Sequence, residues 1–134
     1  MKKNLTMLIA VFFVVALFAF NVQSGDQKPW PVPDASKNKA NPLKADAASV
    51  ATGKSLYNQH CKSCHGSKGK GDGTKAATLD TECGDFTASA FKAQTDGALF
   101  YKTAEGRKDM PSFKKKIPDA DDMWALVNYM RTLK

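Results

Sequence analysis

The residues best placed to do chemistry stand together, as Cys61-Lys62-Ser63-Cys64-His65. Two thiols three positions apart, at the end of a helix, can reach the two vinyl groups of one porphyrin. The residue that follows then projects an imidazole toward the iron. C-x-x-C-H is therefore the signature of c-type haem attachment through two thioethers. A neutral imidazole is a good axial ligand once its other nitrogen is hydrogen-bonded. Two other readings use the same residues. Cys61 and Cys64 could form a redox dithiol, but the βαβ pattern that would frame one is missing. Cys61, Cys64, Cys83 and a His could hold zinc. That site would need Cys64 and the adjacent His65, or else His60, on one metal, and no second C-x-x-C supports it. A haem iron that passes electrons also wants a sixth ligand. His60, the only other His, directly precedes Cys61 and reads as a solvated helix-end residue. Of the five Met, Met1 and Met7 lie in the leading segment, and Met123 and Met130 fall in the last helix. Met110 alone lies in a loop, Asp109-Met110-Pro111-Ser112-Phe113. Pro111 has no N–H and fixes its own φ, which suits a loop held open across a haem face. On its own Met110 would read as a loop hydrophobe. Beside C-x-x-C-H it reads as the distal iron ligand, with His65 the proximal one.

The elements that must position these residues are helices, and the fold class is all-α. Positions 47–59 predict a first helix with Asp46 as its cap. Positions 95–105 predict a middle helix, with Thr95 at its start and Gly106 at its end, and a short turn of helix is expected over 89–93. Positions 119–133 form the clearest helix. Asp119, Asp121 and Asp122 complement the dipole in its first turn, and Arg131 and Lys134 do so in its last. Leu126, Tyr129, Met130 and Leu133 fall at i, i+3, i+4 and i+7, one apolar stripe. Alternating period-two patterns are absent.

The chain has 134 residues, which bounds it at one small domain plus tails. Lys2 and Lys3 precede an apolar run that begins at Met7 and ends at Phe20, and Val22, Gln23 and Ser24 follow before Gly25. This is the three-part anatomy of a secretory signal. An uncleaved anchor is the competing reading, since 5–22 is eighteen long if Thr6 and Asn21 are tolerated. Residues 1–24 are therefore read as a signal peptide or N-terminal anchor. Either way the rest of the chain leaves the cytoplasm for the periplasm or another extracytoplasmic space. Membrane association is expected only if the apolar run stays in place. Residues 25–46 carry Pro29, Pro31, Pro33 and Pro42 and read as a linker, in extended geometry or pinned to the domain through Trp30, Val32 and Leu43. The globular part is 47–134. The formal charge is +7, and without Lys2 and Lys3 there are 18 basic against 13 acidic residues, or +5. Three Cys is an odd number, which excludes a complete disulfide framework. Nucleic acid is a poor partner for the basic charge, because the compartment is wrong.

These residues resemble a small bacterial class I c-type cytochrome, a mono-haem domain, over about 47–134. The family places a Gly and an aromatic eight and four positions before the first haem Cys, and Gly53 and Tyr57 stand there. The resemblance implies that they pack on the last helix, at positions matched by Leu126 and Tyr129. The glycine-rich loop 66–73, and Gly106 four residues before Met110, are also similar. The implied fold is a bundle of three to four helices around one covalently bound haem. Relatives place a Pro near the position of Thr74, where a carbonyl accepts the proximal His N–H. No Pro occurs between His65 and Met110 here, so the partner of His65 is open. Cys83 also departs from the pattern and reads as a lone buried or half-buried thiol, with an intermolecular disulfide as the other reading.

The expected function is one-electron transfer in a respiratory or periplasmic chain, with haem c and iron as cofactor and no enzymatic constellation. Arg107, Lys108, Lys114, Lys115 and Lys116 flank Met110 and read either as a solvated loop or as a landing face for an acidic redox partner. A haem sensor or enzyme with a displaceable sixth ligand is the second reading, and a zinc-stabilised binding module the third.

Overall fold

The computed structural model describes residues 29–134. The expected signal or anchor over 1–24 lies outside the described residues. Residues 31–134 form one unit. Its helices are α1 (Asp34–Lys37), α2 (Ala47–His60), α3 (Lys62–His65), α4 (Ser89–Lys92), α5 (Asp96–Glu105) and α6 (Ala120–Thr132), with a single 3-10 turn at Ala76–Thr78. Among the described residues there is no strand, only one antiparallel bridge between Arg107 and Met110.

Caps define the long helices. The Asp46 carboxylate accepts from the Ser49 N–H at 3.0 Å, which satisfies one of the orphan donors of α2. Thr95 does the same for α5 through the Ala98 N–H, and Asp119 for α6 through the Asp121 N–H. Gly106 ends α5 at φ 70°. The helices expected over 47–59, 95–105 and 119–133 are thus present, with Thr95 and Asp119 as caps rather than first turns. The turn α4 covers most of 89–93. The short helices α1 and α3 and the 3-10 turn had no periodic signal, being too short to carry one.

The main helix pair is α2 against α6. A Cβ at Gly53 would sit 2.0 Å from the Ala125 carbonyl oxygen and 2.8 Å from the Tyr129 Cβ. The two backbones therefore meet where α2 has no side chain. One turn on, the Tyr57 and Tyr129 rings pack with centroids 5.2 Å apart. Tyr129 is the expected partner. At Gly53 the nearest other neighbour is Ala125, one position before Leu126, which lies fully buried in the same core.

The single apolar stripe expected on α6 is too narrow. Met123 through Met130 are all buried, including Trp124 and Asn128. The reason is that the proline-rich stretch covers the helix. Lys39 lies over Phe100 and Trp124, and Leu43 packs on the core. The Asn41 amide donates to Asn128 Oδ1 at 2.8 Å, and the Asn128 amide in turn donates to Ser49 Oγ at 3.2 Å and to the Lys44 carbonyl. A Cβ at Gly97 would meet the Ser36 oxygen at 2.2 Å, so α1 rests on α5 at a residue without a side chain. Of the two arrangements open to this stretch, residues from Pro31 onward take the one packed on the domain. At the far end of α6, Arg131 does more than complement the dipole: its guanidinium pairs with Asp96 at 2.8 Å and donates to the Lys92 carbonyl.

Candidate functional site

The chemistry-bearing segment begins where α2 stops. Cys61 is the C-cap of α2, its N–H bonded to the Tyr57 carbonyl, and α3 restarts one residue later to present Cys64 and His65. Gly66 ends α3 at φ 80°. The buried Tyr57 hydroxyl donates to the Gly66 carbonyl at 2.7 Å, which ties the end of the motif back to the helix before it. The glycine-rich loop then folds over the open end of α3. The Gly71 N–H donates to the His65 carbonyl, Gly73 to Cys64 and Lys75 to Ser63, at 2.9, 3.1 and 2.8 Å. These are the carbonyls a four-residue helix cannot satisfy itself. A Cβ at Gly73 would stand 2.4 Å from the Ser63 oxygen, so only glycine lets the loop come this close.

All three cysteines are free thiols, with Cys61 buried and Cys64 and Cys83 half-buried. Burial, and secondarily the neighbouring Cys64, push the Cys61 thiol up to about 12. A redox-active dithiol shows the opposite shift, toward thiolate. Burial also raises the Cys83 thiol, followed by Cys64 and Asp109. Cys83 therefore lies within electrostatic reach of both the motif and the residue next to Met110.

Burial lowers the pKa of the His65 ring below its ordinary value, against a smaller opposing effect of the Cys83 backbone. Burial thus favours the neutral ring. Its Nδ1 is buried and has no hydrogen-bond partner. The Phe86 ring lies against it at 4.5 Å, tilted by 34°.

Met110 is half-buried and packs on the core. Its loop is shaped from both sides. Arg107 and Met110 exchange backbone hydrogen bonds at 2.8 and 3.0 Å, with Lys108 at φ 52° between them. A Cβ at Gly106 would meet the Pro111 carbon at 2.4 Å, and the Ser112 hydroxyl donates to the Ala104 carbonyl. Phe113 inserts into the core and meets the His60 ring at 6.1 Å. His60 is the helix-end residue expected, the last of α2, but half-buried against the Met110 loop rather than fully solvated.

Haem fits these residues. Two thiols at the bend between helices precede a neutral imidazole with an orphaned buried nitrogen, and a half-buried thioether stands in a preshaped loop. Zinc fits less well, since no three His, Cys, Asp or Glu among the described residues are grouped to hold a metal. Around the loop, Lys108, Lys114, Lys115 and Lys116 are exposed, and Lys114 pairs with Glu105 at 2.5 Å. Phe86 had no motif to announce it. Its only signal in the sequence was an aromatic between the glycine-rich loop and the middle helix.

Residues 48–130 match the family model described as Cytochrome C oxidase, cbb3-type, subunit III. Among solved structures, the chain is similar to one from the Kuenenia stuttgartiensis reducing HAO-like protein complex, at 28% identity and a TM-score of 0.62. The similarity covers 81% of this chain and 52% of that one, so the match spans about half the neighbour's length. No curated protein matches the chain.

Proposed function

This chain belongs to the family described as cytochrome C oxidase, cbb3-type, subunit III, a small c-type cytochrome with covalently bound haem c, and we propose that it is a one-electron carrier with His65 and Met110 as the axial ligands. Haem iron, when bound, supplies the ferric/ferrous couple. The chain's residues supply everything else. Cys61 and Cys64 hold the porphyrin by thioethers. His65 offers a half-buried imidazole. Met110 offers sulfur, and thioether with imidazole raises a potential relative to thiolate ligation. Apolar packing around the pocket, including Phe86 and Phe113, raises it further by disfavouring extra charge. Little need rearrange on transfer, because the Met110 loop is already closed by its pairing to Arg107. No acid, base or nucleophile takes part.

The observation that carries this reading is the buried, partnerless Nδ1 of His65, one residue after Cys64. The division into a leading signal or anchor and a haem domain, and an extracytoplasmic address, belong to the same proposal. So does a transient docking face for an acidic redox partner around Lys108, Lys114, Lys115 and Lys116. Visible spectroscopy tests it. The carrier has sharp low-spin bands, a weak red band from sulfur ligation and no shift under carbon monoxide. A ready high-spin carbon monoxide complex would point instead to a haem sensor or enzyme.

A further inference from the structure

Identifying His65 as a ligand leaves open what fixes the plane of its ring. A histidine's second side-chain torsion joins a tetrahedral carbon to a flat ring and is soft, with broad wells. A hydrogen bond to the ring fixes a direction, but a flat neighbour is needed to fix the plane. Phe86 is that neighbour, with ring centroids 4.5 Å apart. Phe86 is itself held on two sides. Phe91 stacks on it at 4.4 Å and 17°, and Tyr57 meets it edge-on at 6.4 Å and 70°.

Its backbone is held as firmly. The Phe86 N–H donates to the Gly69 carbonyl at 2.7 Å. The Gly84 carbonyl oxygen packs where a Cβ on Gly71 would stand, 2.7 Å away, while the Gly71 N–H is bonded to the His65 carbonyl. The loop after the motif and the segment leading to Phe86 thus interlock through glycines. Their meeting brings the Phe86 ring to the imidazole.

We infer that Phe86 is a positioning residue that sets the plane of the His65 ring at the haem, an inference that rests on reading His65 as the proximal ligand. The test uses full-length haem-loaded protein. In proton spectra of the ferrous form, the ring protons of an axial histidine are displaced far upfield by the porphyrin ring current. Nuclear Overhauser effects should connect them to the Phe86 ring protons. In the ferric form, the paramagnetic spread of the haem methyl resonances reports the orientation of the axial planes. Phe86→Leu should change that spread while the visible spectrum stays low-spin, and Phe86→Tyr should retain the wild-type pattern. Absence of the His65–Phe86 effects in the wild type would overturn the inference, and so would a Phe86→Leu pattern identical to the wild type. If Phe86→Leu does not fold, the wild-type measurement decides alone. Wild-type haem protein without upfield imidazole protons would instead overturn the assignment of His65 as a ligand.

Discussion

Met110 and His65 differ in how much the surrounding chain commits them. Both are half-buried, but His65 lies against the Phe86 ring and its carbonyl is bonded by the glycine loop, whereas Met110 sits in a loop of a few residues. Met110→Ala should therefore keep the haem on the chain while converting it to a high-spin form that takes carbon monoxide. Absorption spectra of the variant decide this, and an unchanged low-spin spectrum would remove Met110 from the iron. Tyr57 acts at the same scale but structurally. Its hydroxyl donates to the Gly66 carbonyl inside the core, and burial pushes its pKa well above the usual phenol range. Tyr57→Phe should cost about 1 kcal/mol in denaturant unfolding of the haem protein, the net worth of one buried hydrogen bond. The cysteine and histidine positions were legible because C-x-x-C-H binds chemistry to sequence spacing. Phe86 was not, because its role depends on two glycine turns closing on each other, and nothing in linear spacing encodes that closure.

At the level of helices, the seam between α2 and α6 depends on one missing side chain. Gly53→Ala would drive a Cβ against the Ala125 carbonyl, a backbone atom that cannot swing aside. A loss of about 1–3 kcal/mol or more is expected, the cost of overpacking a tight contact, against the small gain in helix propensity. A Gly53→Ala protein as stable as wild type in urea would mean the helices do not approach this closely. The long helices were legible from caps and periodicity: Asp46, Thr95, Asp119 and Gly106 all stand where helices start or stop. What was not legible is the second cover on α6. Residues 31–46 have too much proline for a periodic signal, and their attachment runs through single polar contacts such as Asn41 to Asn128. Asn128 is buried at 5% exposure and serves Asn41, Ser49 and the Lys44 carbonyl at once. Asn128→Ala would strand those groups, so a loss of about 1–3 kcal/mol is expected. Faster amide exchange over residues 39–46 would show that it falls on this attachment.

Over the whole molecule, charge and cofactor set the behaviour. The net positive charge, +7 for the whole chain and +5 without Lys2 and Lys3, with exposed lysines around the Met110 loop, predicts that reduction by a small anionic complex slows as salt is added. Reduction by a cationic complex should speed up instead. Stopped-flow rates against ionic strength give the sign directly, and equal slopes for the two reagents would mean the lysines do not shape the approach. One haem joined to the chain by two sulfurs underlies all of this behaviour. Acid–acetone extraction of protein expressed in a host that matures c-type haem, followed by intact mass measurement, tests this most directly. The prediction is a red polypeptide whose mass exceeds that of its own chain, with or without residues 1–24, by one haem, with the added mass on the peptide containing Cys61 and Cys64. A colourless polypeptide at the bare chain mass, with the haem in the organic layer, would contradict it.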